Sequence, residues 1–140
     1  MQNKRLLWVG GSLLALLLVP GMSGLASEES SGPYRAELAL SLDGRLAAAS
    51  GDRVRIYDIE KGVLVREISG EYTDCIAFSP VDRNLLAAGT GSGRVRLYRV
   101  DDQNYVHEFR DAWGKITSVA LDKSGKYVAS VASRGDYNEV

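Results

Sequence analysis

GDRVRIYDIEKGVLVREI, residues 51–68, returns as SGRVRLYRVDDQNYVHEF at residues 92–109, and this recurrence decides the fold. Arg53 to Ile56 aligns with Arg94 to Leu97, Tyr57 with Tyr98 and Glu67 with Glu108, at a period of 41 residues. Upstream, ALSLDGRLAAAS from Ala39 returns 81 residues later as ALDKSGKYVASV, with Gly44 falling on Gly125. A middle copy, AFSPVDRNLLAAG from Ala77, has a loop of slightly different length. The units themselves are short apolar or alternating runs punctuated by Gly, Asp, Ser and Pro, the pattern of strands and turns rather than helices. Strands are expected at 36–40, 45–49, 54–58 and 63–68, then at 75–78, 85–88, 95–100 and 105–109.

Four strands per copy at this period match the spacing of propeller blades, about 40 to 45 residues. Ile76 to Pro80 (IAFSP), Leu85 to Gly89 and Gly93 to Tyr98 (GRVRLY) resemble the first three strands of a WD40 repeat. Tyr57 with Asp58 stands where that family has its Trp-Asp pair. The second copy departs with Tyr98 and Arg99, and Gly70 with Glu71 occupies the place of the family's Gly-His. The resemblance implies an all-β chain, an incomplete β-propeller of four-stranded antiparallel WD40-like blades. The repeats run over 36–74, 75–117 and a shorter 118–140. Closed propellers typically need about 4 to 8 blades, so a fragment of a longer propeller is expected. Open blade edges of this kind invite self-association or completion by another polypeptide.

The first 26 residues read differently. Lys4 and Arg5 precede an uncharged apolar run from Leu6 to Val19, followed by Pro20, Gly21 and small residues before Ser27. This is the three-part pattern of a secretory signal peptide, expected to be a helix, and it predicts a secreted or periplasmic chain. The alternative is an uncleaved anchor, which would hold the remainder at the membrane, facing out of the cytoplasm. Residues 27–35 (with SEESSGP at 27–33) read as a flexible linker. Without residues 1–26, 15 basic residues stand against 18 acidic ones, which argues against nucleic acid as a partner.

Catalytic chemistry is sparse. His107 is the sole histidine, and Cys75 the sole cysteine of the 140 residues, so neither a metal set nor an intrachain disulfide can be assembled from them. His107 aligns with Arg66 and is expected at the surface; Cys75 opens an apolar strand and is expected to be packed. Gly89, Gly91 and Gly93 (GTGSG) read as a hairpin turn, since no helix follows to hold a phosphate. No catalytic residue, cofactor or metal is therefore assigned.

The WD40 resemblance implies that the loops after each fourth strand and the turns between second and third strands share one rim. On that rim Tyr72, Trp113, Arg53 and Arg94 are the expected anchors for a protein or peptide partner, being the residue types that dominate interfaces. Tyr72 and Trp113 could equally fill the gaps between blades, whereas Tyr57 and Tyr98 are expected to be structural. The competing reading is the N-terminal part of a propeller enzyme, quinoprotein or lactonase-like, to which Asp52, Asp74 and Asp111 would contribute carboxylates.

Overall fold

A computed structural model describes residues 6–7, 17–18, 37–102, 104–110 and 113–133. These residues are all β and antiparallel; among them no helix is long and apolar enough to cross a membrane. β1 (Leu6–Leu7) and β2 (Leu17–Leu18) pair with each other, Leu6 opposite Leu18. At those four residues the expected signal-peptide helix is replaced by a strand pair. The rest of 1–26, and all of the 27–35 linker, lie outside the described residues.

Three meandering sheets follow. The first holds β3 (Leu38–Leu40), β4 (Leu46–Ala49), β5 (Val54–Asp58) and β6 (Val63–Ile68) in sequence order. The second holds β7 (Thr73–Phe78), β8 (Leu85–Thr90), β9 (Val95–Arg99) and β10 (Tyr105–Phe109), also in order. β11 (Lys115–Leu121) and β12 (Val128–Ser133) form the third. The strands match the sequence pattern to within about two residues. The main extension is β7, which begins at Thr73 because a bulge between Thr73 and Cys75 carries the ladder on to Thr90.

Turn chemistry explains why the strands reverse where they do. Ser41 and Asp43 close the β3–β4 turn: Asp43 Oδ1 accepts from Ser41 Oγ at 2.7 Å and from Arg45 N at 3.1 Å. In the β11–β12 turn, Asp122 Oδ1 accepts the backbone N–H groups of Lys126 at 2.9 Å and Tyr127 at 2.8 Å. Gly44 and Gly125, paired by the sequence repeat, adopt φ of 68° and 70°, a region that a side chain would strain.

Side chains alternate across each strand, so every sheet offers two faces. On β7, Ile76 and Phe78 turn toward the first sheet and join Ala48, Val54, Ile56 and Leu86 in one buried cluster. Cys75 turns the opposite way, with Ala87, Val95, Ile116 and Val119, and forms the seam with the third sheet. Each fully buried Ile or Leu at these seams contributes about 1.5–3 kcal/mol relative to an exposed one. On the first sheet's other face lies a small cluster of Ala47, Tyr57 and Ile59.

Candidate functional site

One backbone hydrogen bond and several ion pairs link turns and loops of the three sheets. Thr73 N donates to Gly51 O at 2.9 Å, which ties the β6–β7 loop to the β4–β5 turn. Within the same loop, Glu71 Oε2 lies 3.8 Å from Arg94 Nη1 and 3.2 Å from Arg96 Nη2, which brings in the β8–β9 turn. The buried carboxylate of Asp74 pairs with Lys115 at the start of β11 and lies close over Gly91. These contacts link the turns and loop that carry Arg53, Tyr72 and Arg94, and reach Lys115, two residues after Trp113.

The four differ in environment. Trp113 is 83% exposed. Gly114, directly after it, has φ 103°, a value that only glycine adopts readily and that turns the chain from the loop into β11. Tyr72 is half-buried. Arg53 is an exposed side chain held to Glu67, Nη1 to Oε1 at 2.5 Å, while Arg55 Nε takes the other oxygen at 3.1 Å. Arg94 is partly exposed, with Glu71 as its nearest carboxylate. Both arginines are thus oriented by acids, in pairs that contribute at most about 1 kcal/mol each.

A network that residue types alone did not disclose runs from the same loop into the second sheet. Arg96, the repeat counterpart of Arg55, donates from Nε to Glu108 Oε2 at 2.6 Å, reaches Glu71 with its other nitrogen, and lies 5.3 Å from the centroid of the Tyr105 ring. Glu108 also accepts from Arg110 Nε. The hydrogen bond from Arg96 holds the Glu108 carboxyl below the usual carboxylate range, as that from Arg53 does for Glu67. The signal was present in the repetition of Arg55 with Arg96 and Glu67 with Glu108. The Asp74–Lys115 pair had no such signal, because it joins unlike positions of two repeats.

The remaining titratable groups lie apart from one another. His107 is exposed on β10, its ring 4.4 Å from that of Phe109. Cys75 is fully buried, and burial, reinforced by the Glu37 charge, pushes its thiol up to about 11. Tyr98 is buried in the first seam and meets Tyr105 edge-on at 6.3 Å, a structural position; Tyr57 is its half-buried counterpart on the first sheet. Of the three carboxylates considered for the enzyme reading, Asp74 is committed to Lys115, Asp52 lies beside Arg53 and Arg55, and Asp111 is outside the described residues. Among the described residues no group of three or more His, Cys, Asp or Glu side chains could hold a metal.

No family model matches the chain. It is similar to the Periodic tryptophan protein 2 homolog of Neurospora crassa, at 38% identity over 60 residues. That match covers 43% of this chain and 7% of the relative, so the chain spans a small fraction of that protein's length. Together with the antiparallel four-stranded sheets, the likeness suggests a WD40-like repeat.

Proposed function

We propose that this chain is a non-catalytic interaction segment of the WD40-repeat type, whose rim docks a protein or peptide through Trp113 and Tyr72, with Arg53 and Arg94 as flanking polar anchors. The observation that carries the reading is the 83% exposure of Trp113 on a glycine turn, beside the paired Lys115 and Asp74. An indole left in water gains by being covered, and aromatic and arginine anchors supply most of the binding energy at protein interfaces. Charges on the rim alternate in sign: Arg53 with Asp52 and Glu67, Arg94 with Glu71, Lys115 with Asp74. A surface of mixed sign favours a mixed-charge peptide over a polyanion.

Export is part of the same proposal, supported by the sequence pattern of Lys4, Arg5 and the apolar run to Val19. Cleavage before Ser27, read as the N-terminal residue of the exported protein, would establish it; recovery of Met1 on that protein would replace cleavage with anchoring.

The docking test starts from peptides selected on the unaltered chain out of a displayed random library. Trp113→Ala should weaken their binding by roughly thirtyfold, the effect of losing about 2 kcal/mol, and Tyr72→Ala by less. Both variants should keep the far-ultraviolet β signature and the melting temperature. Unchanged binding in Trp113→Ala overturns the rim assignment, and loss of folding in either variant would show a packing residue instead.

A further inference from the structure

We propose that a cavity beside β6 is a carboxylate-binding site, in which Arg66 takes the anion of a small organic acid or of a peptide C-terminus on its Nε and Nη2. The cavity measures about 420 Å³ and is lined by Val65, Arg66, Glu67, Ile68 and Ser69. Small-molecule sites typically enclose about 300–1,000 Å³.

Strand pairing sets the direction of the arginine. Arg66 stands opposite Ile56, and Val65 is the extra residue of a bulge between the Ile56–Arg66 and Tyr57–Leu64 pairs. Side chains directly opposite each other share a face. Ile56 belongs to the first seam, so Arg66 points across that seam, where its Nη1 donates to Val100 O at 3.3 Å. A bulge is a recurrent device for re-aiming a side chain beside a site.

That hydrogen bond determines which edge of the guanidinium is left for the cavity. In an arginine the Nε–H and the nearer Nη2–H lie parallel and form a fork that matches the two oxygens of a carboxylate. Nη1 is outside this fork, so its bond to Val100 leaves the fork whole. Arg66 Nε is buried and has no hydrogen-bond partner among the described residues. A buried donor without an acceptor is rare and costly in folded proteins, and a carboxylate in the cavity supplies the acceptor.

Charge selects the class of anion. Glu67 alternates to the other side of the strand, where Arg53 and Arg55 hold its carboxylate. Arg66 is then the one cation among the five lining residues, which balances a monoanion and not a phosphate dianion. Ser69 adds a hydroxyl, and Val65, 46% exposed, an apolar side chain against which a short carbon chain can lie. In the second sheet His107 takes the place of Arg66, exposed and with its ring against Phe109. An imidazole has no such fork, so the site is not repeated there.

The test is an NMR titration of the full chain with sodium butyrate, sodium chloride keeping the ionic strength constant, followed at the Arg66 Nε–H and at the amides of Val65, Glu67 and Ser69. We expect saturable shifts at these groups. Arg66→Lys keeps the charge and loses the fork, and should weaken binding by about tenfold or more at the three amides. Should that variant fail to fold, Val65→Asp decides: it sets a second anion at an exposed bulge position and should weaken binding to a similar extent. Acetyl-Ala-Ala and its C-terminal amide separate the two sources of carboxylate. Tighter binding of the peptide acid than of butyrate assigns the site to chain ends, and weaker binding assigns it to free acids. The proposal is overturned by absence of saturable shifts, by undiminished binding in the deciding variant, by equal binding of the peptide amide and acid, or by tighter binding of inorganic phosphate. Trp113→Ala should leave the titration unchanged, which separates this cavity from the docking surface.

Discussion

The two seams of the molecule are packed differently, although one repeat builds both. Between the first and second sheets, large residues meet from both sides: Val54 and Ile56 on one, Ile76, Phe78, Leu86 and Tyr98 on the other. Polar links reinforce the contact, with Ile76 N donating to Glu37 Oε2 at 3.2 Å, Arg66 Nη1 to Val100 O at 3.3 Å and Arg83 Nη1 to Asp43 Oδ2 at 3.0 Å. Between the second and third sheets, small residues stand beside Val95 in the second sheet's wall. Cys75, Ala87 and Gly89 leave a recess that Ile116 fills, and a methyl on Gly89 would collide with both Ile116 and the Cys75 sulfur. The repeat thus keeps Val54 and Val95 at matching places in the two seams, while the close fit of Ile116 against Gly89 and Cys75 belongs to the second.

The sharpest way to separate the seams is to empty each one. Leu86→Ala and Ile116→Ala both remove a fully buried side chain, and each should cost about 2–5 kcal/mol. The consequences should differ in reach. Leu86→Ala weakens the seam between two four-stranded sheets and lowers the melting temperature of the whole chain. Ile116→Ala frees the two-stranded sheet, and alkylation of Cys75 reports it, because the sulfur lies 3.6 Å from Ile116 O and is otherwise inaccessible. Labelling should accelerate more in Ile116→Ala than in Leu86→Ala. Equal acceleration would mean that the seams open together and that the distinction between them fails.

Gly89→Ala tests the second seam from the other side. The added methyl overfills the recess and should cost about 1–3 kcal/mol, again releasing the third sheet first. Combined with Ile116→Ala, the loss should be smaller than the sum, since the cavity left by one change accommodates the other. Strict additivity would show that Gly89 is needed for some reason other than Ile116.

These contrasts mark what could be read from the sequence. Strand positions were legible because apolar alternation and turn residues are local signals, and Gly44 and Gly125 announced turns with the same glycine conformation. The repeat also pointed to the Arg–Glu pairs, since Arg55 with Glu67 and Arg96 with Glu108 occupy matching places. Seam composition was not legible: that Gly89 faces Ile116, or that Lys115 pairs with Asp74, depends on which strand packs against which. GTGSG was read as a hairpin turn, which holds for residues 91–93, but Gly89 belongs to β8, and the steric need for it comes partly from another sheet. For the rim, the loops could be named and their adjacency expected, whereas the 83% exposure of Trp113 against the partial burial of Tyr72 required the coordinates.

Acid offers the finest comparison, between the turns closed by Asp43 and Asp122. Hydrogen bonding holds both carboxyls at about 2 against an ordinary 3.8. For Asp43 the donors are Ser41 first, then Arg83 from the second sheet; for Asp122 they are Ser124 first, then backbone N–H groups of its own turn. A carboxyl whose folded pKa is depressed confers stability that is full above its unfolded value and lost as pH falls through the folded one. Both contributions should hold near pH 5 and fade between about pH 4 and pH 2, as protonation removes acceptors. Protonating Asp122 should then loosen only the β11–β12 turn, whereas protonating Asp43 should also release Arg83 and weaken the first seam. Amide exchange recorded across that range should show the β11–β12 response vanish in Asp122→Asn and the first-seam response shrink in Asp43→Asn. If Asp43→Asn alters only its own turn, the Arg83 link contributes nothing to the seam, and the first interface rests on its apolar cluster alone.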